Sequence, residues 1–313
     1  MEKEGNRTVL TDFVLVGFTT DPVLRIIVFV LFLISYTVTL TGNLGLMTLI
    51  YLESRLHTPM YFFVGSLSFL DIWYSTVYTP RILADCVSKN NSMSLTSCAA
   101  QFFFSAGLAY SECFLLAVMA YDRYVAICNP PLYATAMPKK LCIQLVIGSY
   151  VAGFSSAIVY TGNTFHLHFC GNNIINHYFC DEPPLVKMAC DDTRVYELTV
   201  TTILGCNMLA TTAVILGSYT GIVAAITRIH SATGRRKAFS TCSSHLISVF
   251  LFYGSILFTY SRPSSQHTPN WDKASALFYT VVNPLVNPLI YSLRNKDVKS
   301  AFKKVLGRFI QPK

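Results

Sequence analysis

Charge is scarce in this chain. Only 13% of its 313 residues are Asp, Glu, Lys or Arg, about half the share of a soluble domain. With 52% hydrophobic residues and a mean hydropathy of +0.45, the deficit places it among membrane proteins. No acidic or basic run is long enough for a disordered arm. The opening MEKEGNRTVL lacks the basic start, apolar run and small-residue site of a cleaved signal. The first apolar helix is therefore expected to act as the targeting signal and stay in place. There is no metal-spaced His/Cys cluster, and no Ser, His and Asp fall in related segments, so no catalytic residue is assigned and an enzyme is not expected. Repeated halves, which a transporter often shows, are also missing.

What is present is a series of apolar segments of membrane-spanning length, about 20 residues each. They are read at 23–51, 59–85, 95–127, 141–161, 195–227, 238–261 and 271–293. The expected fold is an all-α integral membrane protein, a bundle of seven transmembrane helices in a single domain over 1–313. Residues 1–22 form the outer N-terminus, 23–293 the bundle and 294–313 the inner tail. In that tail Val298, Ala301, Phe302, Val305, Leu306 and Phe309 share one helical face opposite lysines, the pattern of a short amphipathic surface helix. Charge sets the orientation. Loops near 52–58, 123–140 and 228–237, with the tail, hold 15 Lys/Arg and three acids; the opposite side holds nine and 11. The difference, +12 against −2, puts the tail in the cytoplasm and the N-terminus outside. The sequons at Asn6 and Asn90 both lie on the outer side, and Asn6 is the better glycosylation candidate.

Of ten cysteines, Cys98, Cys170, Cys180 and Cys190 fall on the outer, oxidising side. Four cysteines allow three pairings, which spacing does not choose between. The other six lie in or near spans and read as small apolar packing residues. A bridge from Cys98 to the long loop 162–194 would close about 80 residues, worth about 4.5 kcal/mol in the chain-entropy model.

On the third span Cys98, Ser105, Ala109, Glu112, Leu116 and Arg123 fall on one stripe about 60° wide, with Arg123 roughly 37 Å below Cys98. Asp71 and Glu112 lie within spans, where each acid costs about 2.5–3.5 kcal/mol to insert. No Lys or Arg sits at their depth, so a cation or a shared proton is expected, with a sodium ion held by Asp71, Glu112 and nearby hydroxyls preferred over simple protonation. Asn43 and Asn287 add polar groups at similar depth.

Several motifs occur in a specific order. They are GN at 42–43, LHTPMYFF at 56–63, LSFLD at 67–71, MAYDRYVAIC at 119–128, SY at 218–219, KAFSTCSSH at 237–245, FYG at 252–254 and NPLIYSLRN at 287–295. Over nearly its whole length the chain resembles the odorant receptors of the rhodopsin-like (class A) G-protein-coupled class, in their tetrapod-type class II. The resemblance implies bridges Cys98–Cys180 and Cys170–Cys190. It implies a G-protein switch of Asp122, Arg123, Tyr219, His245 and Tyr291, and a central ion and polar network of Asn43, Asp71, Glu112 and Asn287. Its implied ligand site comprises Ser105, Ala106, Ala109, Tyr110, Ile203, Asn207, Tyr253, Tyr260 and Thr280, with Leu204 and Leu277 less certain. It also implies a stimulatory olfactory-type G protein that raises cyclic AMP, and the plasma membrane of olfactory sensory neuron cilia. The chain departs from the family at Pro131, at Asn283 before Pro284, and at Gly65 and Ser66, where bulkier or amide residues are usual.

The ligand positions mix apolar walls with a few hydroxyls and one amide. No acid faces the upper part of the third or seventh span, which disfavours amines, and no deep Lys or Arg awaits a carboxylate; Arg262, His166 and His168 approach only from the rim. A small, mostly neutral volatile with one hydrogen-bonding oxygen is expected. An opsin would need a lysine inside the seventh span, which has only Lys273 at its outer edge. A peptide or amine receptor of the same class is the nearest alternative, and LHTPMYFF and KAFSTCSSH argue against it.

Overall fold

The structure is a computed structural model. It describes residues 11–88, 91–170, 172–228, 231–260, 269–293 and 295–310. Both sequons, at Asn6 and Asn90, lie outside the described residues.

The first six spans are the long helices α1 (Pro22–Leu52), α2 (Pro59–Val87), α3 (Leu95–Cys128), α5 (Lys139–His166), α7 (Arg194–Arg228) and α8 (Ala232–Tyr260). A single turn, α4 (Tyr133–Ala136), precedes α5, and a short helix, α6 (Glu182–Lys187), lies in the loop before α7. The seventh span is broken into α9 (Pro269–Leu277), a π-helical turn (Phe278–Val282) and α10 (Asn283–Leu293); α11 (Lys296–Ile310) follows. Helix starts are local chemistry: the Asp21 carboxylate accepts from the amides of Val23 and Leu24, with Pro22 opening α1, and Ser94 caps α3 at Ser97.

Five helices are long and apolar enough to cross a membrane alone, and the bent seventh segment is a sixth candidate. α2 is less apolar because Asp71, Arg81 and Asp85 lie in it, and it spans by packing between α1 and α3. α3 is the hub, in contact with α2, α5, α7 and α8. Its stripe is buried from end to end: Cys98, Ser105, Glu112, Leu116 and Arg123 are each at most 8% exposed. Close approach to α5 requires Gly153. A Cβ there would stand 2.5 Å from the Ser111 amide nitrogen and 2.8 Å from the Gly107 carbonyl oxygen. Backbone cannot yield as a side chain can, so Gly153→Ala is expected to cost about 1–3 kcal/mol, visible as a lower unfolding temperature and reduced surface expression. A neutral outcome would mean that the two helices slide apart freely.

The broken seventh span has an identifiable cause. Pro288 has no N–H to give the carbonyl of Pro284, four residues earlier. The Asn43 side chain supplies that donor at 3.0 Å. Gly42 permits the approach, since a Cβ there would lie 3.3 Å from the Pro288 ring. The GN pair of the first span and the prolines of the seventh are thus one contact. The π turn sits directly before Asn283-Pro284, where the helix must absorb a second missing donor.

One element was not expected from the sequence. β1 (Asp12–Leu15) pairs antiparallel with β2 (Ser92–Ser94), Phe13 opposite Met93, and parallel with β3 (Ile174–Ile175), Val14 opposite Ile174. Phe13, Leu15 and Ile175 are buried, so this sheet fastens the start of the chain over one end of the bundle, the disulfide end. At the opposite, basic end α11 turns 84° from the seventh span. Val298 and Ala301 face the bundle, Phe302 and Leu306 are exposed, and Lys304 pairs with Glu53 at 2.8 Å.

Candidate functional site

Two bridges shape the disulfide end, Cys98–Cys180 and Cys170–Cys190. The first pins the loop to the top of α3. Gln101, one turn below Cys98, accepts from the Cys180 amide at 3.1 Å and donates to the Val77 carbonyl at 3.2 Å, so one side chain joins loop, α3 and α2. His177, in the same loop, is fully buried against Tyr178 and Phe179. Burial, with Lys273 nearby, pushes its pKa down to about 3, so it packs as a neutral ring. Asp192, at the rim, is held below the usual carboxylate range by its bonds to Arg194.

Beneath this roof lies a cavity of about 70 Å³. α3 supplies Phe102, Ser105, Ala106, Ala109, Tyr110 and Cys113; α7 supplies Val200, Leu204 and Met208; α2 gives Tyr74 and Tyr78; and Tyr160, Ile256 and Tyr279 complete the walls. The roof contributes Asp181. Its carboxylate accepts from the Tyr279 hydroxyl at 3.0 Å and from the Glu182 amide at 2.9 Å. The neighbouring Glu182 accepts from Tyr160 and Tyr196. The Tyr110 hydroxyl has no hydrogen-bond partner among the described residues. The space is well below the several hundred Å³ of drug-sized sites and suits a small ligand.

Of the residues expected at the ligand, Ser105, Ala106, Ala109 and Tyr110 line this cavity, as does Leu204. Ile203, Asn207, Tyr253, Thr280 and Leu277 stand outside its lining. Asn207 turns toward α5, where its Oδ1 meets the Ser156 hydroxyl at 3.3 Å, and its amide donates to the Ile203 carbonyl. Tyr253 donates to Thr211 at 2.7 Å, and Thr280 meets the Tyr178 hydroxyl at 3.4 Å. The side chain of Tyr260 lies outside the described residues, as does Arg262. Sequence reasoning missed Asp181 because it considered acids on spans only. The signal was available: Asp181 directly follows the cysteine tied to the top of α3.

Midway down, Asn287 donates to both oxygens of Asp71, at 3.2 and 3.1 Å. Glu112 is 4% exposed. No group of three or more His, Cys, Asp or Glu among the described residues forms a metal site.

At the basic end, Arg123 is 3% exposed and its Nη1 has no hydrogen-bond partner among the described residues. Asp122 accepts from the Tyr133 hydroxyl of α4 at 2.8 Å, and the described residues show no Asp122–Arg123 bridge. Beside them Tyr219 meets His245 Nδ1 at 2.8 Å, and His245 Nε2 meets the Leu116 carbonyl at 3.0 Å. The carbonyl requires a proton on Nε2, so Nδ1 accepts from Tyr219. Tyr291 is buried nearby. α3, α7 and α8 are thereby joined at this end of the bundle.

This arrangement agrees with known proteins. Squid rhodopsin superposes with a TM-score of 0.68 over 93% of this chain and 88% of its own, at 18% identity, a likeness of fold. The chain is 60% identical to human olfactory receptor 9G4, covering 98% of this chain and 94% of that protein. It is 54% identical to mouse olfactory receptor 9G19, covering 97% and 99%. The model of the family described as olfactory receptor matches residues 32–308. On these grounds the chain belongs to the olfactory receptor family of multi-pass membrane signalling receptors, with the rhodopsin fold, and is not an enzyme.

Proposed function

We propose that the protein is an odorant receptor taking a small, mostly neutral volatile into the cavity below the disulfide-anchored loop. It answers by activating a stimulatory olfactory-type G protein that raises cyclic AMP. The observation that carries the ligand reading is the cavity wall, apolar except for Asp181, Ser105 and tyrosine hydroxyls. A ligand hydroxyl suits it, donating toward Asp181 and accepting from Tyr110 or Ser105. Asp181 also removes the main sequence argument against amines, so a protonated amine is the second reading. Each polar contact contributes about 0.5–1.5 kcal/mol. Among ligands matched in carbon skeleton, an alcohol is therefore expected to be about 2- to 12-fold more potent than its methyl ether. Asp181→Asn should weaken an alcohol slightly and an amine severely, read as cyclic AMP in cells with equal surface receptor. Unchanged potency in Ser105→Ala, Tyr110→Phe and Asp181→Asn together would remove this cavity as the site.

The N-terminus faces outside and carries glycan on Asn6, the tail is cytoplasmic, and the whole of 1–313 acts as one domain in ciliary plasma membrane. The excess of Lys and Arg at the basic end supports this orientation. Two buried carboxylates, one of them bonded by Asn287, with no Lys or Arg paired to either among the described residues, fit a sodium ion held by Asp71 and Glu112. The buried Asn43 Oδ1 has no partner among the described residues, as expected of an oxygen left for such a network.

A further inference from the structure

The largest cavity described is unrelated to the ligand site. It is a groove of about 820 Å³ between α1, α2 and α5, and its lining includes the exposed Tyr51 and Phe69. Along α2 it runs from Thr58 to Phe69, roughly 16 Å at 1.5 Å per residue. That is the depth of one leaflet, half of the ~30 Å core. Its walls are apolar, with Phe62 and Phe69 on α2. Gly65 and Ser66 form part of the lining. A Cβ at Gly65 would meet its nearest neighbour, Ile50, at 3.8 Å, an ordinary contact, so the position has room for a side chain's first carbon without a clash.

The mouth of the groove is basic. Lys139 lines it, and Lys140 follows in the first turn of α5. Positive charge at a helix N-terminus opposes the helix dipole, and this N-terminus has no acid in its first turn and no side-chain cap at Pro138. Arg55 lies next to the lining residue Leu56. Among the described residues no acid pairs with Arg55, Lys139 or Lys140. The nearby acids are engaged elsewhere, Glu53 with Lys304 and Asp122 with Tyr133. Lys139 and the uncapped start of α5, at the polar end of a one-leaflet apolar channel, call for an anion attached to a hydrocarbon chain.

We propose that this groove is a binding site for an anionic phospholipid of the cytoplasmic leaflet. Its phosphate meets Lys139, Lys140 and the start of α5, and an acyl chain lies over Gly65 and Ser66. The leaflet assignment rests on the orientation given above; the binding itself does not.

The test uses the full-length receptor in nanodiscs containing phosphatidylserine, phosphatidylcholine and cholesterol in both leaflets, with retained lipid read by native mass spectrometry. Retained phosphatidylserine is expected to exceed phosphatidylcholine by about tenfold or more, at roughly one kcal/mol for each lysine. Lys139→Gln with Lys140→Gln, both exposed and expected to leave folding intact, should erase that preference. Gly65→Leu should reduce retention of both phospholipids without lowering the unfolding temperature. Equal retention of the two phospholipids, selective retention of cholesterol, receptor self-association in place of lipid, or indifference to both variants would each overturn the proposal. Orientation is read separately, by glycosylation of Asn6, so its failure is distinguishable.

Discussion

Replacing Cys98 and Cys180 together by serine is expected to abolish the odorant response and most surface expression. The bridge spans 82 residues in sequence, and removing one of this kind typically costs about 2–5 kcal/mol. The local effect is as important. Cys180 is 1% exposed and is followed by Asp181, which roofs the cavity, and Glu182, which holds Tyr160 and Tyr196. Without the bridge the Gln101 contact still ties this segment to α3, but no covalent link holds it there. The double replacement of Cys170 and Cys190 breaks a bridge of separation 20, and the same model makes its loss roughly 1 kcal/mol milder. Thermal unfolding of purified receptor and agonist dose–response at matched surface levels measure the two effects. Equal potency and stability with the Cys98–Cys180 bridge removed would mean that the loop is held by packing alone.

Replacing Arg123 by methionine is expected to silence signalling while leaving ligand binding and folding largely in place. Arg123 is buried, yet its Nη1 lacks a partner among the described residues, and Asp122 is tied to Tyr133 instead. A buried donor left unmade costs about 1–3 kcal/mol, so the apolar variant should be no less stable. On the function proposed above, what it loses is a charged hydrogen bond to a G protein, worth about 1.5–3 kcal/mol, or roughly 10- to 150-fold in coupling. The readout is cyclic AMP against agonist concentration, with thermal stabilisation by the same agonist as the folding and binding control. A variant that signals normally would show that Arg123 is a structural cation. Opening such a switch still requires a ligand that binds the open state more tightly.

How much of this was legible in the sequence differs by element. The stripe on the third span was readable because helical periodicity is local, and Cys98, Ser105, Glu112 and Arg123 are indeed buried along one hub helix. The sheet of β1, β2 and β3 was not. Its strands are two to four residues long and pair segments some 80 and 160 residues apart in chain, so no period marks them. The start of the seventh span looked like a helix, but Pro284 and Pro288 need donors that a single segment does not reveal. The ligand positions split for the same reason. Ser105, Ala106, Ala109 and Tyr110 share the side of α3 that faces the cavity, whereas Asn207 turns away because Ser156 of α5 offers it a hydrogen bond.

By itself the sequence determined the membrane class, the helical segments, the basic end and the family, since all of these depend on composition, local period and ordered motifs. The tertiary structure alone decided that Asp181 joins the cavity, that Tyr133 takes Asp122, and that Gly65 and Ser66 line a groove between α1, α2 and α5. These depend on helix rotation and loop path, which are set by contacts between segments far apart in the chain.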